Sequence, residues 1–407
     1  MVYYTLVNYT YVKYILSNVV VGLMNNKQGV ISVLYKCVAL LDMDAYFASV
    51  EEAKNLSLRG RPFAVIGNGE RPIVISANYV AKNFGVKTGM VITEARKLCP
   101  KIIFVKADFS QYEFTTLKII QLVEKYFPVY KEASIDEVYI AVDSIGDVSY
   151  GVERLKELKE EIKEKLNLTC TIGVGRNPII AKSACELAKP DGFCVVQDFE
   201  KFAKDLPIKN VTGIGKESEK ILEGLGIGTL EQFLNDKRLD GLSGFQKLKT
   251  LILKEYTESE FFKFVPPKSI GHSLTLDRHV SNLEELLEVY KYLTFGLYAK
   301  LLRGRIGAKS VSLYLKDRFG SFSISRSFIF YTNDFLLISK VVENLVEKLF
   351  RGYPVSKVGI SLNNLKLIDG VQSSLFWDEQ QKRFEKLAEF ENIFFGGYFV
   401  LRTKKIV

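Results

Sequence analysis

Apolar positions along this chain repeat with two alternating periods, one suited to strands and the other to helices. Val38 to Leu41 is a continuous apolar run ending on Asp42, as in a strand buried on both faces. Tyr46 to Ala53 reads as a helix start. Short β-type runs at Phe63–Ile66 and Ile73–Ser76 are bounded by Gly-Asn-Gly and Arg-Pro turn signals. Asn78–Phe84 and Thr93–Leu98 read as short helices, stopped by Gly85 and Pro100. A long amphipathic helix is predicted over Phe109–Phe127 and a strand over Ile135–Val142. Apolar residues at Val152, Leu155, Leu158, Ile162 and Leu166 keep helical spacing, and Glu161 and Lys165 form an i,i+4 pair. Leu168–Val174 alternates as a strand. Ile179–Ala188 is helical up to the turn Lys189-Pro190-Asp191-Gly192, and Phe193–Val196 is again a strand. This alternation predicts a mixed α+β layer with its helices on one face of a sheet.

From about Phe199 to Lys263 the strand pattern disappears and helices take over. Phe264 to Lys268 contains Pro-Pro and reads as an extended linker. Beyond it the order is strand, helix, strand, strand, helix, strand, over Ile270–Leu276, Leu283–Leu302, Ser310–Leu315, Phe322–Phe330, Asp334–Phe350 and Lys357–Leu365. With 407 residues the chain can hold two to four domains.

Charge adds a partner class. The net charge is +9, and Lys268–Lys366 alone carries 15 Lys and Arg against 8 Asp and Glu. That excess suits a polyanion. The only histidines, His272 and His279, stand outside any motif, which argues against histidine-based acid–base catalysis. The five cysteines show no CxxC pair and no zinc spacing, as expected of reduced thiols in a cytoplasmic protein. No segment reaches the ~18–20 apolar residues of a membrane span. Residues 1–37, rich in tyrosine and valine and without a basic segment before their apolar stretch, read as an extension rather than a signal peptide.

The chemistry concentrates in two acidic islands, Leu41-Asp42-Met43-Asp44-Ala45-Tyr46-Phe47 and Ser134-Ile135-Asp136-Glu137-Val138-Tyr139. Carboxylates at the ends of buried strands are costly to desolvate unless a cation meets them. Three hard oxygen donors at one sheet edge suit Mg²⁺ and two-metal phosphoryl or nucleotidyl transfer. Asp136 and Glu137 are neighbours, so both reach one site only near a turn or strand end. Tyr79 and Lys82, i and i+3 on one short helix beside Ser76, can reach one phosphate tail, and Lys189 is a further phosphate ligand candidate. Val211-Thr212-Gly213-Ile214-Gly215-Lys216 before a helix is helix-hairpin-helix chemistry. There Gly213 and Gly215 let the backbone approach a DNA phosphate beside Lys216.

These motifs, in this order and spacing, resemble those of Y-family DNA polymerases, the bacterial DNA polymerase IV and archaeal lesion-bypass branch. The resemblance covers roughly residues 38–366. It implies an α+β multidomain right hand. The palm is ferredoxin-like (38–45 and 108–196), the fingers are small (46–107), and the helical thumb (197–263) carries the hairpin near 211–216. A linker (264–269), a βαββαβ little finger (270–366) and a tail (367–407) complete it. It further implies an error-prone polymerase that adds dNTPs to a primer on template DNA. Asp42, Asp136 and Glu137 with the Met43 carbonyl would bind two Mg²⁺. Tyr46, Phe47, Ser76, Tyr79, Lys82 and Lys189 would line the nucleotide, with Phe47 as the steric gate against a ribose 2′-hydroxyl. Lys82 departs from the family's usual arginine and loses its bidentate fork.

In the tail, Gln372, Leu375 and Phe376 resemble the peptide by which bacterial polymerases dock on the sliding clamp. The resemblance thus implies a monomer with primer–template DNA, dNTPs and a clamp as partners, and no membrane. Two other readings stay open. One is a catalytically inactive accessory protein linking the clamp to another polymerase, which the intact carboxylate set opposes. The other is a nucleotide cyclase, which leaves the hairpin and the basic last domain unexplained.

Overall fold

The computed structural model describes residues 37–67, 72–255, 261–262 and 266–368. Its first strand, β1 (Val38–Met43), is buried at every position. The chain then leaves this sheet to build a small three-stranded layer. That layer holds α1 (Tyr46–Lys54), β2 (Phe63–Ile66), β3 (Val74–Ala77), α2 (Tyr79–Asn83), α3 (Ile92–Leu98) and β4 (Ile103–Lys106), with strand order β3-β2-β4. Asn78 fixes the start of α2, its Oδ1 accepting from the amides of Ala81 and Phe63.

The chain returns through α4 (Phe109–Tyr126), β5 (Tyr130–Glu132), β6 (Glu137–Ala141), α5 (Val148–Leu166), β7 (Cys170–Gly175), α6 (Pro178–Ala188) and β8 (Phe193–Val195). The completed sheet has the order β5-β6-β1-β7-β8. Its first four strands with α4 and α5 form a ferredoxin-like βαββαβ unit, and β8 joins β7 in parallel through the α6 crossover.

Helices lie on both faces of this sheet, not on one as the sequence pattern suggested. Ala39, Leu41 and Met43 pack with α4 and α5, while Leu40 packs on Ala181 and Cys185 of α6. A strand buried on both sides requires that second layer. Side chains alternate along β1, so Asp42 shares the α6 face with Leu40. Phe261 and Phe262, at the end of the expected helical block, pack instead against Val38, Val129, Tyr139 and Ala141 on this same sheet.

Four helices follow, α7 (Phe199–Asp205), α8 (Lys216–Gly224), α9 (Leu230–Asn235) and α10 (Ser243–Leu253). They close around Leu206, Leu222, Leu230, Phe233 and Ile252, joined by Ile180 of α6. The last region contains β9 (Ser269–Val280), α11 (Leu283–Gly304), β10 (Ile306–Asp317), β11 (Gly320–Thr332), α12 (Phe335–Leu349), β12 (Val355–Asn363) and β13 (Lys366–Leu367). It repeats the βαββαβ string, but its order is β11-β10-β12-β9, so it is no copy of the first sheet. Both helices pack on the face that carries Val311, Leu313, Val358 and Ile360. The opposite face carries Ser312, Ser325, Lys357 and Ser361, with Ser325 donating to Ser312 at 2.8 Å.

The predicted elements recur with shifts at their ends. β4, β5 and β13 were not anticipated, being short segments of two to four residues. The strand expected from Ile135 begins at Glu137, because residues 134–136 bend.

Close seating of α6 on the sheet depends on Gly173. A Cβ there would stand 2.2 Å from the Ala181 carbonyl and 2.3 Å from the Cys185 amide, both main-chain atoms of α6. Gly173→Ala is expected to lower unfolding free energy by about 3 kcal/mol, the upper range for overpacking. Urea unfolding measures it, and an unchanged midpoint would contradict this seating.

Candidate active site

Asp42 and Glu137 are direct cross-strand partners at the end of β1 and β6. Paired residues project to the same face of a sheet, so both point toward α6. Asp136 lies just before β6 in the bend, which frees it from strand alternation. Its carbonyl accepts from the Met43 amide at 2.9 Å, and its Oδ1 accepts from Ser134 Oγ at 2.6 Å. Met43 buries its side chain in the α4–α5 core, so only its main chain can serve the site.

Two lysines of the α6 region face this acidic edge. Lys182 Nζ donates to both Glu137 oxygens at 2.7 and 2.8 Å. Lys189 Nζ donates to Asp42 Oδ2 and to Glu186 Oε1, each at 2.8 Å. Burial pushes the Asp42 carboxyl up to about 7, with smaller contributions from Glu137 and Asp136, and Lys189 offsets this only in part. Burial also works against the Lys189 ammonium, but its bonds to Asp42 and Glu186 outweigh that and raise it. The edge is therefore short of positive charge, and its hard oxygens suit a divalent cation such as Mg²⁺. Among the described residues no three His, Cys, Asp or Glu side chains are gathered closely enough to hold a metal ion. Asp42 and Glu137 meet, with Asp136 bonded alongside, but two of the three are engaged by lysines rather than closed into a ligand shell.

The wall beside this edge comes from the three-stranded layer. Ser76 Oγ donates to the Ala45 carbonyl at 3.3 Å. The Tyr79 hydroxyl lies 3.5 Å from Asp44 Oδ1, and Lys82 Nζ sits 4.3 Å from the Tyr79 ring centroid. Burial, then the charge of nearby Lys189, lowers the Lys82 ammonium. Ser76, Tyr79, Lys82 and Lys189 thus converge above the Asp42 end of β1. Phe47, in the first turn of α1, stacks on Tyr112 at 4.5 Å with 25° between planes and meets Phe109 edge-on at 5.9 Å. The Tyr46 hydroxyl donates to the Tyr112 carbonyl at 2.7 Å inside the core, which leaves the main chain of Tyr46, rather than its ring, on the side of this edge.

In the helical region Gly213 has φ +100°, a conformation that favours glycine, and a Cβ there would also meet Leu248 at 2.9 Å. Gly215 caps α8 without any side-chain hydrogen bond. Gly213, Gly215 and Lys216 are exposed together at this turn. Gln372, Leu375 and Phe376, like the residues 1–36, lie outside the described residues. Sequence inspection missed Lys182, although a signal existed. It precedes Lys189 by seven residues, two helical turns, which places both on one side of α6.

Comparison with known proteins identifies the class. The impB/mucB/samB family profile matches residues 41–186, and the profile of that family's C-terminal domain matches residues 267–375. DNA polymerase IV of Pelotomaculum thermopropionicum is 31% identical over 380 residues, covering 90% of this chain and 94% of the relative. DNA polymerase IV of Saccharolobus solfataricus is 35% identical over 259 residues, 61% of this chain and 74% of the relative. A solved Y-family DNA polymerase chimera of Dbh and Dpo4 superposes with TM-score 0.71 at 28% identity, covering 82% of this chain and all of that one. An insertion ternary complex of Dbh DNA polymerase gives 0.62 with the same identity and coverage. The chain therefore belongs to the impB/mucB/samB family, the Y-family DNA polymerases of the DNA polymerase IV type. No helix among the described residues is long and apolar enough to cross a membrane.

The raised Asp42 carboxyl has a consequence for stability. Its folded value of about 7 exceeds its ordinary 3.8, so the folded state holds this proton more tightly than the unfolded chain. The Asp42 contribution to stability therefore falls as pH rises from about 4 to 7 and is level above that. In chelator, Asp42→Asn should gain stability relative to the parent across that window, measured by urea unfolding at pH 5 and pH 8. A constant difference at the two pH values would contradict the burial of an under-neutralised carboxylate.

Proposed function

We propose that this edge joins a primer 3′-oxygen to the α-phosphate of a dNTP on template DNA, with two Mg²⁺ held by Asp42, Asp136, Glu137 and the Met43 carbonyl. The supporting observation is the buried, under-neutralised Asp42 carboxylate paired across β1 and β6 with Glu137. When bound, the divalent ions acidify the 3′-hydroxyl and neutralise charge on the departing pyrophosphate. The protein's own part is placement and charge. Lys189 and Lys82 offer cationic donors to the triphosphate, and Ser76 and Tyr79 offer hydroxyls. The first amides of α1, which lack a side-chain cap, are further phosphate donors on the turn that bears Tyr46 and Phe47. Phe47, backed by Tyr112 and Phe109, stands as a rigid face against a ribose 2′-hydroxyl.

The exposed Gly213–Lys216 turn would hold the primer-side backbone, and the basic last region would lie along the duplex. Its helix-free face of small hydroxyls and lysine suits phosphate contacts without base readout. An inactive accessory protein would need no such acidic edge. A monomer docking on a sliding clamp through Gln372, Leu375 and Phe376, and working in the cytoplasm, completes the reading.

Purified protein should extend a primed template with Mg²⁺, on undamaged and lesion-bearing strands. Asp136→Ala should reduce extension by more than about 100-fold, beyond the usual loss for a residue that only supports metal ligands. Normal extension by that variant would remove Asp136 from the site. Phe47→Ala should raise ribonucleotide incorporation relative to dNTP. Unchanged sugar selectivity would take the gate role from Phe47.

A further inference from the structure

The acidic island at the end of β1 contains a second aspartate that the proposed mechanism does not use. Asp44 is 1% exposed, more deeply buried than Asp42 at 4%. Among the described residues no lysine or arginine lies within ion-pair distance of it. Three neutral donors meet it instead. Oδ1 accepts from the Thr171 hydroxyl at 2.8 Å and faces the Tyr79 hydroxyl at 3.5 Å, and Oδ2 accepts from the Asp191 amide at 2.8 Å. A buried carboxylate without a cation is costly, and such bonds to an ionised acceptor are the strong kind that can offset the cost.

The three donors come from different elements around the proposed nucleotide site, Thr171 from the buried strand β7. Asp191 stands two residues after Lys189 with φ +51°, in a turn also held by Thr171 Oγ1, which accepts from the Gly192 amide at 3.3 Å. The Asp191 side chain pairs with Lys159 and Lys163 of α5. Tyr79 belongs to α2 in the three-stranded layer. Asp44 is thus a single acceptor that fixes the Lys189 turn to β1 and β7 and faces the phenol of the opposite wall.

We propose that Asp44 is a positioning residue for the incoming nucleotide: it acts through Lys189 and Tyr79 and binds neither the metal ions nor DNA. This rests on the proposed assignment of Lys189 and Tyr79 to the triphosphate. The carboxylate is required as an acceptor at both oxygens. In Asp44→Asn one of them becomes a donor, which either opposes the Asp191 amide or turns the Thr171 hydroxyl from donor to acceptor and weakens the tie between the turn and β7.

Steady-state extension on a primed template, with dNTP varied, tests it. Asp44→Asn raises the dNTP KM about tenfold, the size expected for losing one hydrogen bond to a charged acceptor, with kcat within about twofold. Primer–template affinity, read by fluorescence anisotropy, stays unchanged. In a Lys189→Ala background the same substitution adds clearly less than tenfold, because the lysine it positions is gone and only the Tyr79 contact remains. Thr171→Val, which deletes the hydroxyl shared by Asp44 and Gly192, raises KM in the same direction and serves where Asp44→Asn fails to fold. Equal multiplicative losses in both backgrounds, or a fall in kcat with KM unchanged, would overturn the proposal. A raised KM for Lys189→Ala beside a parental KM for Asp44→Asn and Thr171→Val overturns the role of Asp44 alone. A parental KM for Lys189→Ala overturns the nucleotide assignment of the turn, and the proposal with it.

Discussion

The structure turns on the burial of acidic side chains at the end of a central strand. β1 is apolar up to Leu41 and then delivers Asp42 to the α6 face, opposite Glu137. Such an edge folds only if positive charge is brought to it, and the α6 region supplies Lys182 and Lys189. That supply has a steric condition. α6 must lie almost on the sheet backbone, and Gly173 permits this because a side chain there would occupy the space of the helix main chain. Buried pairs of this type contribute little net stability, since desolvation cancels much of their attraction. Their value, on the proposed reading, lies in a charged edge at which the lysine contacts can be exchanged for a substrate and its metal ions.

The two βαββαβ regions show how far one element string can be put to different uses. In the first, β1 is central and both faces are covered, so its polar end is a desolvated pocket. In the second, both helices share one face and the other carries small hydroxyls and lysine. A covered sheet suits chemistry that excludes water, and an open hydroxylated sheet suits contact with a hydrated polyanion. Strand order separates them, and strand order follows from long-range pairing that no local period records.

Much of this was legible in the chain. Continuous apolar runs disclosed the buried strands, and the acidic islands disclosed the edge where they end. That Asp136 and Glu137 need a turn or strand end followed from alternation alone. Its place did not, because the strand expected from Ile135 begins only at Glu137 after the bend at residues 134–136. Helix placement on the sheet was legible but misjudged. A continuous apolar run such as Val38–Leu41 marks a strand covered on both faces, whereas a strand covered on one face alternates, so helices on a single face did not fit the pattern. The orientation of Tyr46 was not legible. Its place in the motif says nothing of which way its ring turns, and the hydroxyl found an acceptor on α4. Lys182 was available from its two-turn spacing before Lys189, but a lysine on a helix carries no mark of a buried partner. Asp44 was hidden because its partners are a hydroxyl and a main-chain amide some 127 and 147 residues away.

The aromatic wall completes the logic of the pocket. Phe47 has no polar atom with which to read a sugar, so any discrimination must come from shape, and shape discriminates only when it is rigid. Rigidity is built in behind it. Tyr112 lies beneath the Phe47 ring, and its hydroxyl donates to Glu51 at 2.9 Å on the same helix as Phe47. Its carbonyl accepts from Tyr46, the residue beside Phe47. Phe109 closes the side with edge contacts to both rings. The wall is thereby locked to α1 and α4 by packing and buried hydrogen bonds, none of which a bound nucleotide has to supply. Removing Phe47 would open space while leaving that frame in place, so the proposed gate is separable from catalytic placement in this site.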